Sequence, residues 1–509
     1  MSKQTKQISG AKATLPAFKE GEGTGIQKIT IYSNDDKGKT VSVVNSTMVV
    51  EYYESILQDA IRATVTYTDT GNTIDNKSAM EGLPIVGQEA VGIKVSDNNE
   101  QSIDMLLYVN KVTPLLDDTR KSLVQLELAS REFIWNEKVR VNECMKGKIS
   151  DHVEKLLTDS NYLGPTPEAK QQEGYKEKFK KELIEETAND YNFIGNNKKP
   201  YYLINWISRG AVPSSDANPK AKIGKGNSAG FLFYETGEGF NFRSIDGLMN
   251  IEKNEVKKSY IFNETSDLGT KVGCDIPDGY DGKALSYEVD NKVNVQNKLK
   301  MGAYSTRLIT LNPFNLEFNV ITPNAGTTGA DAAGNQKNLK LGGKKLPSLN
   351  KEFDKTGKNN EYSRTTLMLL DPGTLPIGKG VGKELSKDGT GQLGEKSEEQ
   401  NYKPEEVLNQ GIMRMNQLFA LKTTITIPGD FSLHAGDAIY VDAPQLKKDT
   451  KNDEVDKQTG GNYIIANLCH YMSAKNTVTK LDLIRDSFGR RPKGGQGGRK
   501  SRYSSGVRR

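Results

Sequence analysis

Histidine and cysteine are scarce, with three of each in 509 residues. Cys144, Cys274 and Cys469 are odd in number and far apart, so they make neither a disulfide framework nor a CxxC metal pair; single buried thiols are expected. His152, His434 and His470 have no partner at metal-ligand spacing and no nucleophile nearby in sequence, which leaves them structural or surface roles. No apolar run approaches the length that spans a bilayer, and MSKQTKQISG at the start lacks the apolar segment of a signal peptide. A soluble chain without a membrane anchor, made in a cytoplasm, is the expectation.

Ligand motifs are missing too. GTLPIGKG (373–380) places Gly373, Gly378 and Lys379 at phosphate-loop spacing, but Gly380 stands where a Ser or Thr should hold magnesium, and no helix pattern follows. DIPDGYDG (275–282) lacks the spacing and terminal Glu of a calcium loop and reads as turn chemistry. GKGNSAG (224–230) lacks dinucleotide spacing. Carboxylates are abundant but scattered, so glycosidase chemistry finds no support. The sequence offers no catalytic, cofactor-binding or metal-binding residue, and the expectation is a protein that is not an enzyme and takes no cofactor.

What is present is strand. Only 35% of residues are hydrophobic, glycine numbers 49, and the mean hydropathy is −0.63. This suits an elongated β-rich protein of two to four domains with long polar loops. The net charge of +5 is concentrated in RRPKGGQGGRKSRYSSGVRR (490–509), which holds eight basic residues and no acid; without it 62 basic residues face 65 acidic ones. Such a tail is expected to be disordered until it meets an anionic partner or a groove; it has one aromatic, Tyr503, and no nucleic-acid fold around it.

Period-2 alternation predicts strands at 27–33, 41–44, 61–69, 90–96, 104–112 and 122–130, then at 285–290, 306–312, 316–322 and 365–371. GKISDHVEKLLTDS (147–160) reads as a helix capped by Ser150, and 168–189 as an exposed helix or helix plus loop. KPYYLINWISRGAV (199–212) is an apolar strip. AGFLFYETGEGFNFRSIDGL (229–248) reads as a hairpin with one strongly apolar face around the turn Glu235-Thr236-Gly237-Glu238-Gly239. Residues 404–420 form a helix with Val407, Ile412, Met415 and Leu418 on one stripe, weakened by Gly411. Between 323 and 403 composition turns to Asn, Gly, Lys and Thr, as in a long insertion.

Distant segments repeat. SLVQLELASREF (122–133) parallels TVTKLDLIRDSF (477–488): Leu126, Glu127, Leu128 and Phe133 match Leu481, Asp482, Leu483 and Phe488, each 355 positions on. Tyr108 of YVNKV faces Tyr463 of YIIANL at the same offset, and LPIVGQEAVGIKV (83–95) faces FSLHAGDAIYVDA (431–443). Chance likeness of ordinary strands competes with a duplicated β-barrel.

FLFYETGEGFNFRSIDGL resembles the aromatic strand, turn and G-F-x-F-x-S-I-D-x-L signature of central baseplate hub proteins of contractile-tailed, T-even-type bacteriophages. RVNECMKGKISDHVEKLL (140–157), KPYYLINWISRGAV, GDFSLHAGDAIYVDAP (429–444) and NYIIANLCHYMSAKNTVTKLDLIRDSF (462–488) resemble that family in order and spacing. The likeness covers about residues 27–490 and departs at 323–403 and in the basic tail. It implies a mainly β, α+β chain: a mobile N-terminus 1–25, a tail-tube-like antiparallel β-barrel 26–141, a connecting helical and hairpin region 142–280, a second such barrel 281–489 including the insertion 323–403, and a disordered tail 490–509. It further implies a homotrimer in the virion tail baseplate, assembled in the host cytoplasm. Its quasi-sixfold ring would seat the tail tube protein on one face and the central spike protein on the other. Tape measure and wedge proteins would lie nearby, and genome DNA would pass the bore without specific binding. A type VI secretion or tailocin hub, and a tail-associated peptidoglycan hydrolase, are the alternatives.

Overall fold

Strand segments fold where the alternation predicts them. The structure, a computed structural model, describes residues 25–214, 229–249, 256–262, 284–291, 295–302, 306–311, 316–321, 364–369, 401–443 and 459–485, apart from short breaks at 35–37, 72–76, 98–100, 119–120, 173, 317, 402–403, 420 and 474–475. The expectations for 1–24, for nearly all of 323–400 and for 490–509 lie outside the described residues.

Seven strands open the chain: β1 (Gly25–Tyr32), β2 (Thr40–Ser42), β3 (Thr47–Ser55), β4 (Arg62–Asp69), β5 (Ala90–Ser96), β6 (Ser102–Asp117) and β7 (Ser122–Ala129), with the one-turn α1 (Ala79–Gly82) between β4 and β5. They pair in the order β3-β4-β7-β6-β5-β1-β2, every neighbour antiparallel. Alternate residues of β4 (Ala63, Val65, Tyr67) point inward, as the IRATVTYTD pattern requires.

The connecting region holds α2 (Arg131–Lys138), β8 (Cys144–Met145), α3 (Ile149–Thr158), α4 (Pro167–Lys170), β9 (Phe193–Ile194), α5 (Pro200–Ser208), the hairpin β10 (Phe231–Thr236) and β11 (Gly239–Ser244), and α6 (Ile245–Met249). Three expectations change here. Ser150 lies inside α3 rather than at its cap, and its N–H donates to Thr187 Oγ1 at 3.0 Å, so the first turn is satisfied from a distant loop. The described residues of 168–189 contain only most of α4 and a 3-10 turn at Lys181–Leu183; with few large apolar residues the segment runs as a strap over its neighbours. The hairpin is apolar on both faces. Phe231, Phe233, Phe240 and Phe242 pack with α3 and α5, while Leu232 and Tyr234 on the reverse pack with Ile56, Ile464, Ala466 and Ile484 of the large sheet and its margins.

Next come β12 (Val256–Ile261), β13 (Ser286–Asn291), α7 (Val295–Met301), β14 (Thr306–Leu311), β15 (Phe318–Ile321), β16 (Arg364–Leu369) and α8 (Pro404–Leu418), followed by β17 (Leu421–Pro428), β18 (Ala438–Asp442), β19 (Gly461–Ser473) and β20 (Thr477–Arg485). Strands β15-β14-β16 form a separate small sheet. Gly411 weakens α8 by propensity, and a Cβ there would lie 3.0 Å from Arg209 O, a tight approach that glycine accommodates without displacing that carbonyl. The remaining strands pair as β13-β17-β20-β19-β18-β12, antiparallel except β12–β18, which is parallel.

The two groups meet edge to edge. β19 pairs β3 antiparallel from Asn467↔Ser55 to Ser473↔Val49, giving one 13-stranded sheet over a shared apolar core. Among the described residues the pairing closes neither group into a barrel. The chain is mainly β, built on a large antiparallel sheet.

The sequence repeat has a backbone counterpart. β4-β7-β6-β5 and β17-β20-β19-β18 share one antiparallel pairing order, with β3 and β13 in the same flanking place. A register shift lies between Val109 and Lys111 of β6, and another between Ile465 and Asn467 of β19. Ahead of β5, Gln88 N–H donates to Val109 O at 2.7 Å and Val109 N–H to Glu89 O at 2.9 Å; ahead of β18, Gly436 N–H donates to Ile465 O at 2.8 Å and Ile465 N–H to Asp437 O at 2.9 Å. Both Gln88 and Gly436 take positive φ, 70° and 90°. Both acids accept the N–H three residues earlier, Val86 on Glu89 and His434 on Asp437. The match between β7 and β20 stands at offset 355, since Leu126, Glu127 and Leu128 hold the places of Leu481, Asp482 and Leu483. One alignment shifts by a residue: Tyr108 pairs Ala129 as Ile464, not Tyr463, pairs Ile484. The sixth strands differ, because β1 meets β5 antiparallel and β12 meets β18 parallel.

Candidate functional site

The tip of the β10–β11 hairpin enters the corner where the two strand groups and the connecting region meet. Gly237 and Glu238 form a two-residue turn between the paired Thr236 and Gly239. At Gly239 φ is +139°, and a Cβ would lie 2.2 Å from Lys178 O, so the strap segment can cross the turn only over glycine. Phe240 N–H donates to that same carbonyl at 3.0 Å.

Glu54, near the end of β3, is the centre of this corner and is 2% exposed. Its Oε1 accepts Tyr52 OH at 2.6 Å and Gly237 N–H at 2.7 Å, and lies 3.0 Å from His434 Nδ1; its Oε2 accepts Ala435 N–H at 2.8 Å. One carboxylate thus ties the first strand group, the hairpin and the loop ahead of β18. Burial alone would raise the Glu54 carboxyl, but the His434 imidazolium and the donated bonds bring it down to about 2. Burial would lower His434, and Glu54 overrides this to raise it to about 9. Tyr52 is pushed well above its ordinary value by burial and by Glu54.

A second ionic chain lies beside it. Lys178 Nζ sits 2.8 Å from Glu132 Oε2 and 2.7 Å from Glu235 Oε1, and Glu235 Oε2 accepts Ile61 N–H at 3.1 Å. Burial raises Glu235, and repulsion from Glu132 adds to it; Glu132 is lowered because Lys178 outweighs its burial. These groups, with Tyr52, His434, Phe431 and the inner half of β6, line a cavity of about 420 Å³. The loop GDFSLHAGD makes two further ties. Asp97 Oδ2 accepts Phe431 N–H at 3.0 Å, and Asp430 accepts Tyr260 OH at 3.0 Å while pairing with Lys258.

The three histidines separate into two places. His434 and His470 flank Tyr52: His470 stacks on its ring at 5.8 Å, bonds Thr479 Oγ1 at 2.8 Å, and is lowered to about 4 by burial. His152 lies apart in α3, with Nε2 2.7 Å from Tyr191 O. Cys144 is exposed and Cys469 partly so, against the expectation of buried thiols, because the short β8 and the outer face of β19 carry them. Cys274, the loops at 275–282 and 373–380, and most of 224–230 lie outside the described residues. No cluster of three metal-capable side chains occurs, and no helix is long and apolar enough to cross a membrane, among the described residues.

Sequence reading misses Glu54, Lys178 and Glu132 altogether, since β3 is not among the predicted strands and the strap reads as an exposed helix or helix plus loop. The one available signal is Glu235: an acid two residues from Phe233, pointing with it toward an aromatic core, needs a buried cation. The charges of this corner are paired with one another. Glu54 is saturated with donors, His434 is charged, and both Glu132 and Glu235 are held by one ammonium.

No known family pattern matches the chain, and no curated protein matches it. Several solved structures are similar in shape at low identity. A tail protein from Neisseria meningitidis MC58 aligns over 91% of this chain and 97% of that chain, with 9% identity and a TM-score of 0.45. The 43 kDa tail protein of prophage MuSo2 from Shewanella oneidensis aligns over 91% and 99%, with 8% identity and a TM-score of 0.44. An E. coli component of the type VI secretion system, described as similar to T4 bacteriophage tail proteins, aligns over 92% and 79%, with 9% identity and a TM-score of 0.38.

Proposed function

We propose that the chain is a structural hub of a phage tail baseplate, in which three copies form a quasi-sixfold ring between a hexameric tail tube and a trimeric spike, with a bore for the genome. The observation that carries this is the repeated strand group, matched down to a shared bulge and a shared acid-bearing turn, with its two copies joined edge to edge in one chain. Three chains of two like groups present six like seats, because rotational symmetry repeats whatever a subunit carries. On this reading the domains are 26–141, 142–280 and 281–489, and the hairpin corner fixes the angle between the two groups. The hub of a related contractile injector, of the type VI secretion or tailocin kind, uses the same arrangement. Light scattering on the purified protein tests the reading: a mass three times the 56.2 kDa chain is expected, and a monomer at every concentration overturns it.

A peptidoglycan hydrolase draws on one observation, two carboxylates on one cavity with pKa values pushed apart. Against it, the Lys178 ammonium pairs with both carboxylates. Zymography on bacterial cell wall decides the matter, and a clearing band that Glu235→Gln abolishes would overturn the non-enzymatic reading.

A further inference from the structure

One strand edge is bare where it borders the cavity. β5 takes Ser102–Tyr108 of β6 on one side, and β7 takes Tyr108–Asp117 on the other, so the β7 side of Ser102–Leu107 has no strand on it among the described residues. Backbone groups of an antiparallel strand point to its two sides in alternation. Gln101 O accepts Asp97 N–H at 2.9 Å, and Val109 N–H donates to Glu89 O at 2.9 Å, so the odd-numbered residues face β5. The even-numbered ones face away, and Asp104 O accepts from Lys176 Nζ at 3.0 Å on that side. Among the described residues no group meets the N–H of Ser102, Asp104 or Leu106, or the C=O of Ser102 or Leu106. An edge of this kind is a template for another strand.

The same stretch lines the cavity of about 420 Å³, together with the apolar Tyr52, Ile61 and Phe431, the strap and the hairpin tip. The second strand group shows the edge in covered form. Ala438, Ile464 and Ile484 hold the places of Ala90, Tyr108 and Ala129, so Gly460 stands for Asp104 and Arg485 for Ser130. Arg485 is buried and donates to Gly460 O at 3.0 Å, and β19 starts only at Gly461. Ser130 is too short to reach across in this way, and β6 starts earlier, at Ser102, so a longer edge is left bare.

We infer that a stretch of residues 1–19 of this chain lies as an added antiparallel strand on the Ser102–Leu106 edge of β6. Position and length argue for this occupant, which lies outside the described residues. Gly25 pairs Ser96 and Ser96 pairs Ser102, so the chain ahead of β1 departs from the Ser102 end of the groove. Crossing the ends of β5 and β6 to the bare edge is three strand spacings, about 14 Å, which about five extended residues span. Residues 20–24 supply them, and the arm then runs toward Ser102, opposite in direction to β6. Charge agrees: residues 1–19 carry Lys3, Lys6, Lys12 and Lys19 and no acid, while Glu177 and Glu238 are exposed at the cavity. Main-chain bonds hold such a strand and the cavity receives alternate side chains, with Ile8, Leu15 and Phe18 among those the arm offers. Lys176 keeps Asp104 Oδ2, 3.2 Å away, when the arm takes Asp104 O. Arm and edge belong to one chain, so the contact holds whether or not copies assemble.

Amide hydrogen exchange tests this. The N–H groups of Ser102, Asp104 and Leu106 are expected to exchange about tenfold or more slower in the full chain than in one starting at Gly21, with β1 equally protected in both. Ser102→Pro in the full chain removes a bond from this edge and none from the β5 ladder, and should speed Asp104 and Leu106 toward the rates of the truncated chain. Isotope-labelled truncated chain mixed with excess unlabelled full chain should stay unprotected; protection gained there means that the arm comes from a second copy and overturns the placement. Fast exchange in the full chain overturns it as well. So does protection that survives both the truncation and Ser102→Pro, since another segment or partner then covers the edge.

Discussion

Glu54 shows how one side chain can set the relation of three units. Removing one partner of a buried, hydrogen-bonded charge pair costs about 3–5 kcal/mol, because the other charge is left unpaired in low dielectric. Glu54→Gln is therefore expected to lower unfolding stability by about that amount, read from a urea midpoint. The pair also predicts a pH dependence. His434 is raised from 6.5 to about 9, so its contribution is complete below pH 6.5 and is lost as pH rises through 9. Glu54 is lowered from 4.5 to about 2, so its contribution is complete above pH 4.5 and is lost as pH falls through 2. His470, lowered to about 4, weakens the fold as pH falls from 6.5 to 4. Urea midpoints should decline from pH 6.5 to 9 in the unaltered protein. In Glu54→Gln that decline should be absent, and a decline of the same size in the variant would place its origin elsewhere.

At the scale of elements the hairpin is the informative piece. Its Phe face makes the core of the connecting region, with Phe231 stacked on Phe242 at 4.6 Å and Phe233 on Phe240 at 5.8 Å, while its Leu232–Tyr234 face packs on the large sheet. Phe242→Ala should cost about 3–5 kcal/mol by leaving a cavity. Gly239→Ala should also destabilise, since neither the positive φ nor the 2.2 Å approach of Lys178 O admits a Cβ; a melting temperature unchanged by this substitution would contradict the strap's position over the turn. The hairpin's existence is legible in FLFYETGEGFNF because aromatic alternation around a glycine turn has few other solutions. That both faces are buried is not legible, because alternation identifies the apolar positions without saying what covers the polar ones: Glu235 is buried against Lys178 and Ile61, far away in sequence, and Asn241 is buried too, bonding back to Thr236 and Gly239 of its own turn. β3 escaped for a related reason. TMVVEYYES mixes Glu51 and Glu54 into the strand, and Glu54 is tolerable there only because His434, Gly237 and Ala435 arrive to bind it.

For the whole molecule the expected outcome is an assembly, and the measured mass decides it. A body with nearly balanced charge suits a proposed bore through which DNA must slide, since basic walls would hold phosphates by counterion release. The sequence by itself determined most of the strands, the hairpin and the likeness of β7 to β20, because side-chain periodicity and a repeated Leu-acid-Leu pattern are local properties that survive without neighbours. Tertiary structure alone decided that β3 joins β19 and that one carboxylate collects donors from three units. Those facts depend on which strand edges meet, and the energy of an edge or a buried charge is set by what arrives to cover it.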